Sequence, residues 1–183
     1  GHYTDGTDTF DWVYKIGKNT PADYENSWGG GHPTELTIKG MKECGSDTVR
    51  IPVYWGNMME NDGTFTIHPD YIARVKEIAD WALDEDMYVV INIHHFDDFV
   101  VKRYENEECA EIFYRVWYQI ADYFKNAPYN LVFEGYNEAM GTNMASRERT
   151  LEVSYELANM SNQAFVDAVR ATGGRNKDRV LIA

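Results

Sequence analysis

The stretch Leu131-Val132-Phe133-Glu134-Gly135-Tyr136-Asn137-Glu138 is an apolar run that ends abruptly in an amide and a carboxylate. A strand buried in a parallel sheet reads as a short, nearly continuous hydrophobic segment. Polar residues at its C-terminal end are where a barrel or open sheet displays its chemistry. Asn137 and Glu138 are therefore read as site residues.

Two more runs have the same form. Thr48-Val49-Arg50-Ile51-Pro52-Val53 and Tyr88-Val89-Val90-Ile91-Asn92-Ile93-His94-His95 are apolar strands that also terminate in polar groups. Amphipathic segments separate them, as in successive βα units. Residues 36–44 follow Thr34, a fitting N-cap, and end before Gly45. Residues 69–84 and 108–124 carry apolar side chains at helical spacing, and a longer helix is predicted over 147–172, closing at Gly173-Gly174. No linker, low-complexity tract or short-period repeat interrupts the chain.

Trp28-Gly29, Thr48 to Pro52, Asn92 to His95 and Asn137-Glu138 occur in this order along the sequence. In that order and spacing they resemble glycoside hydrolase family five, the cellulase-type retaining glycosidases. The pattern of that family places W-G near the start, T-V-R-I-P on the second strand, N-x-H-H on the third and N-E on the fourth. The resemblance extends along almost the whole chain and implies an α/β fold, the (β/α)8 TIM barrel. Such a barrel takes about 250 residues, whereas this chain has 183. Residues 11–16 read as a first strand and 179–183 as a fifth. The expectation is the N-terminal portion of a barrel, about its first to fifth strands, forming a single incomplete catalytic domain over residues 1–183 with the C-terminal half absent. The resemblance puts the nucleophilic glutamate on the seventh strand, and so beyond residue 183.

Composition narrows the partners. With 17 basic against 30 acidic side chains the net charge is -13, which repels phosphate backbones and anionic lipid. Neither nucleic acid nor membrane is an expected partner. The mean hydropathy of -0.52 and the lack of an apolar run near 18 residues speak against a membrane span. Cys44 and Cys109 show no spacing suited to zinc or redox chemistry. No cofactor is expected.

The candidate site follows from the strand ends. A carboxyl at Glu138 can protonate a glycosidic oxygen if burial or a like charge raises its pKa towards neutrality, and the resemblance makes it the general acid/base. Asn137 offers a neutral amide beside that acid, and the resemblance implies a hydrogen bond to the sugar 2-hydroxyl, a contact that strengthens in the transition state. Arg50 is a cation inside an apolar strand and needs a carboxylate partner. The family's matching arginine supports the nucleophile, and Glu134 is the alternative partner within this sequence. His94 and His95 invite a metal, but adjacent residues of a regular strand point to opposite faces and no third ligand has suitable spacing. The resemblance instead implies that His94 hydrogen-bonds in the sugar site. It also implies that His95, with Asp97 or Asp98 just beyond, touches a neighbouring subsite. Trp28 and Trp55, near strand ends, are read as sugar-stacking residues, and Trp81 and Trp117 as helix packing. Met58 stands where the family commonly has a substrate-side histidine.

These readings describe a secreted, extracellular endo-β-1,4-glucanase of the retaining type that binds β-linked polysaccharide or oligosaccharide. The alternative is an inactive half-barrel that holds carbohydrate or self-associates. Its partner would be a complementary half-barrel chain or a second copy, covering the exposed sheet edges.

Overall fold

The computed structural model describes residues 20–25, 31–60, 62–95, 100–101, 104–137 and 151–183. Among the described residues, four parallel strands form one sheet in sequential order: β1 (Thr48–Val53), β2 (Tyr88–Ile93), β3 (Leu131–Glu134) and β4 (Leu181–Ile182). Five α-helices accompany them among the described residues: α1 (Ala22–Glu25), α2 (Glu35–Glu43), α3 (Pro69–Asp84), α4 (Asn106–Phe124) and α5 (Leu151–Ala171). The strand expected at 11–16 lies outside the described residues.

Local chemistry sets the helix starts. The Thr34 hydroxyl accepts from the backbone N–H of Thr37 at 3.2 Å while the Thr37 hydroxyl accepts from that of Thr34 at 3.3 Å, a reciprocal cap that satisfies two orphan donors. Pro69 opens α3 where its missing N–H costs nothing. The α4 helix begins at Asn106, two residues before the expected start, because the Glu108 carboxylate reaches back to the Glu105 N–H at 3.2 Å.

One sheet face is packed against helices. Phe133 meets Trp117 at 5.3 Å and Phe124 at 6.4 Å between ring centroids, and Trp117 in turn meets Phe165 at 4.5 Å. All four rings are buried. Trp117 is thus the packing residue expected of it. Trp81 also packs against the core, with the Arg74 guanidinium over its ring. The opposite face is set by pleat parity. Parallel register aligns Pro52, Asn92 and Glu134 in one row, with Arg50, Val90 and Val132 in the row below.

Behind the sheet, Arg179 is fully buried. Its guanidinium donates to Asn176 Oδ1 at 2.6 Å, to the carbonyls of Leu131 and Pro128 at 2.7 and 2.8 Å, and to those of Ala127 and Phe124 at 2.9 and 3.4 Å. It also lies 5.2 Å from the Phe133 ring centroid. Burial pushes it down to about 10, so it remains charged at neutral pH. The carbonyl-rich end of α4 supplies the compensating negative potential. The α5–β4 connection closes over this cage at Gly174, whose φ is +55° and where a Cβ would come within 2.9 Å of the Lys125 carbonyl oxygen. Only glycine fits there without displacing backbone.

Candidate active site

The C-terminal ends of β1, β2 and β3 leave the sheet one after another, and each is still held by its neighbour. The N–H of His94 donates to the Val53 carbonyl at 2.8 Å, that of Asn137 to Ile93 at 2.9 Å and that of Gly135 to Ile182 at 2.8 Å. Backbone hydrogen bonding therefore runs beyond the strands and places polar side chains side by side at one end of the sheet.

Arg50 and Glu134 form a two-pronged ion pair there. Arg50 Nε donates to Glu134 Oε2 at 2.7 Å and Nη2 to Oε1 at 2.6 Å. The same Nη2 donates to Asn137 Oδ1 at 2.9 Å. Fork geometry of this kind fixes orientation as well as charge. The hydrogen bond from Arg50 holds the Glu134 carboxyl below its ordinary range, with help from Asn92 and His94 and against partial burial. The same bond raises the pKa of Arg50. The Arg50 side chain is 41% exposed, so its pairing answers site geometry more than the burial expected from its apolar strand.

Asn92 is buried and joins two strands. Its Oδ1 accepts from the Val53 N–H at 3.3 Å, and its Nδ2 lies 3.3 Å from His94 Nδ1. An amide NH2 can only donate, so Nδ1 of neutral His94 accepts and the ring proton sits on Nε2. The rings of His94 and His95 meet edge-on at 4.8 Å, and Tyr54 meets His95 at 5.4 Å. His95 has φ +55°, which ends the strand alternation, so both imidazoles line the same cleft rather than opposite faces. That cleft encloses about 750 Å³, with Arg50, His94, His95 and Asn137 among its polar lining and Ile38, Val75 and Ile78 among its apolar lining. Among the described residues no group of three or more His, Cys, Asp or Glu side chains has metal-binding geometry.

Arg50, His94, His95 and Asn137 are thus brought together. Glu138, Asp97 and Trp28 lie outside the described residues. Trp55 departs from the expectation. It is fully buried in a 3-10 turn (Trp55–Met58), its ring 6.0 Å from Tyr71 and its indole donating to the Asn92 carbonyl at 3.0 Å. No ring face remains for a sugar, and its role is to hold the end of β2 in place. Met58 is likewise a core residue. The sequence alone assigns Asn92 no role of its own and offers Glu134 only as a partner for Arg50. The usable signal was parity: Arg50, Asn92 and Glu134 occupy same-side positions on three neighbouring strands.

A crystal structure of a xyloglucan-specific endo-β-1,4-glucanase from a metagenomic library, in complex with cellotriose, superposes with a TM-score of 0.78 and 36% identity, covering 86% of this chain and 47% of that one. A family 5 lichenase from Caldicellulosiruptor sp. F32 gives a TM-score of 0.76 and 36% identity, covering 86% of this chain and 44% of that one. In sequence, endoglucanase B of Ruminococcus albus is 36% identical over 151 residues, spanning 82% of this chain and 37% of its own length. A xyloglucan-specific endo-β-1,4-glucanase of Bacteroides ovatus is 34% identical over 176 residues, 95% of this chain and 35% of its own length. The chain therefore spans less than half of each of these relatives, and its four-stranded sheet with helices is part of their α/β barrel. The sequence model of the cellulases matches residues 13–183, and the chain belongs to that family, glycosyl hydrolase family 5.

Proposed function

We propose that this chain carries the acid/base portion of a secreted, retaining endo-β-1,4-glucanase whose nucleophile is supplied by a further segment of the barrel. The observation that carries the reading is the Arg50–Glu134–Asn137 network at the strand ends, immediately before Glu138. Arg50 holds Asn137 through the amide oxygen, so the amide N–H2 is the end left for a substrate hydroxyl. Hydrogen bonds to the sugar 2-hydroxyl strengthen as the ring acquires oxocarbenium character. Glu138 would protonate the departing glycosidic oxygen and then, as base, activate the water that releases the glycosyl-enzyme. His94 and His95 line the cleft beside this centre and would contact the sugar. The substrate class is β-linked glucan, in keeping with the cellotriose complex and xyloglucan specificity of one relative and the lichenase name of another.

The test uses the full-length protein carrying this segment. Glu138→Gln is expected to lower turnover on β-glucan by about two to four orders of magnitude while leaving the fold intact. The first-formed anomer, read by NMR, should retain configuration. An activity within about tenfold of the parent, equivalent to only 1.4 kcal/mol, removes Glu138 from its role, and an inverted product removes the retaining mechanism. A second reading concerns residues 1–183 on their own: a half-barrel that holds sugar without hydrolysing it and self-associates. It is favoured because, among the described residues, β1 and β4 each pair on one side only. Light scattering together with a reducing-sugar assay tests it, and a stable, active monomer contradicts it.

A further inference from the structure

We infer that Glu134 is a positioning residue of this active site: through Arg50 it fixes the direction in which Asn137 presents its amide to the substrate. The inference rests on the glucanase reading above and adds to it a group that touches no sugar.

Three observations carry it. First, Arg50 Nη2 is shared, 2.6 Å from Glu134 Oε1 and 2.9 Å from Asn137 Oδ1, so any rotation of the guanidinium moves the atom that holds the Asn137 oxygen. Second, Nε is simultaneously bound to Glu134 Oε2 at 2.7 Å, and two parallel bonds to one carboxylate allow the guanidinium plane a single orientation. Third, Glu134 has the firmer setting of the pair. Its side chain is 17% exposed against 41% for Arg50, it sits in register with buried Asn92, and Asn92 adds a hydrogen bond to its carboxylate. The chain of support therefore runs from the sheet through Glu134 to Arg50 and from Arg50 to Asn137. A pair whose cation is this exposed contributes little to folding stability. Its bidentate geometry matters for aim rather than for holding the sheet together.

Glu134 also balances charge. An unpaired Arg50 would place a full positive charge against the neutral amide and would be free to turn its other amino group towards Asn137. With Glu134 ionised, the three side chains form a charge-neutral unit in which the Asn137 oxygen is committed to Arg50 and its N–H2 is left to donate outward.

The experiment is Glu134→Gln in the full-length protein, assayed on an aryl β-cellobioside and on its counterpart lacking the 2-hydroxyl of the sugar whose bond is cleaved. Glutamine keeps the shape but turns one acceptor into a donor that faces an Arg50 N–H, so the fork cannot close. The expected result is a loss of about 10- to 100-fold in kcat on the parent substrate, little change in KM, and a clearly smaller loss on the 2-deoxy substrate, because the contact being aimed is absent there. A structural role alone lowers both substrates equally. Equal losses, or no loss, overturn the inference and leave the glucanase reading standing. Inactivity of the parent enzyme on every β-glucan overturns the glucanase reading and this inference with it. Should Glu134→Gln fail to fold, Arg50→Lys makes the same comparison, since a single ammonium cannot bridge Glu134 and Asn137 in a fixed plane.

Discussion

The indole Nε1 of Trp117 donates a 2.9 Å hydrogen bond to the carbonyl oxygen of Gly135. Both groups are buried, and Gly135 is the residue at which β3 gives way to the segment bearing Asn137. A helix side chain thus holds the backbone of the site from behind. Trp117→Phe is expected to destabilise the fold by roughly 2–4 kcal/mol, from the unsatisfied carbonyl and the space left by the smaller ring. In the full-length protein kcat should fall as well. Urea denaturation checks the first outcome, and an unchanged midpoint would refute it.

The Arg179 cage leads to a second expectation. Arg179→Met keeps most of the buried volume but strips five hydrogen bonds from one amide and four carbonyls. Leaving several buried acceptors unmatched should cost about 3 kcal/mol or more. Thermal unfolding would show it as a large drop in Tm, and a drop no greater than that of an exposed Arg→Met control would contradict it.

The ion pair at the site has its own pH signature. Glu134 is held below its ordinary value of 4.5, so the folded state binds this proton more weakly than the unfolded chain. Its contribution to stability is therefore complete above the unfolded value and is lost as pH falls through the depressed folded value. The Arg50–Glu134 pair should therefore persist to a lower pH than that at which an ordinary glutamate is protonated. A carboxylate-resolved NMR titration would follow this directly, and titration of Glu134 at or above 4.5 would exclude it.

Trp55 separates packing from binding. Trp55→Phe removes the bond from the indole to the Asn92 carbonyl, and stability should fall by about 1–3 kcal/mol. A sugar-stacking tryptophan would instead contribute mainly to affinity. Binding of cello-oligosaccharide to the full-length protein, followed by calorimetry, should change by less than about threefold, under 0.7 kcal/mol on the affinity scale. A large affinity loss with unchanged stability would restore the stacking role.

The framework was legible where local rules act alone. An apolar run marked Thr48–Val53, and Pro69 with its apolar spacing marked Pro69–Asp84, both with the bounds observed. The other apolar runs outlast their strands: β2 stops at Ile93 and β3 at Glu134, whereas the runs continue to His95 and Glu138. After β2 the chain bends away, as the positive φ of His95 shows, and no apolar pattern records a bend. The pairing of Arg50 with Glu134 could be anticipated because both occupy same-side strand positions. Its extension to Asn137 could not, since it depends on which amino nitrogen faces which neighbour. Trp55 misled because a residue just past a strand can turn to either layer, and the 3-10 turn carries it inward.

The backbone bonds that continue past the strands, from His94 to Val53 and from Asn137 to Ile93, make chemistry answerable to strand alignment. A one-residue slip of β2 against its neighbours would turn Asn92 towards the helices and bring an isoleucine opposite Glu134. A compact but slipped molecule would keep most of its apolar burial and lose the whole constellation at once. Misassembled copies would then be silent rather than promiscuous, and activity per folded molecule would report alignment of the sheet rather than compactness.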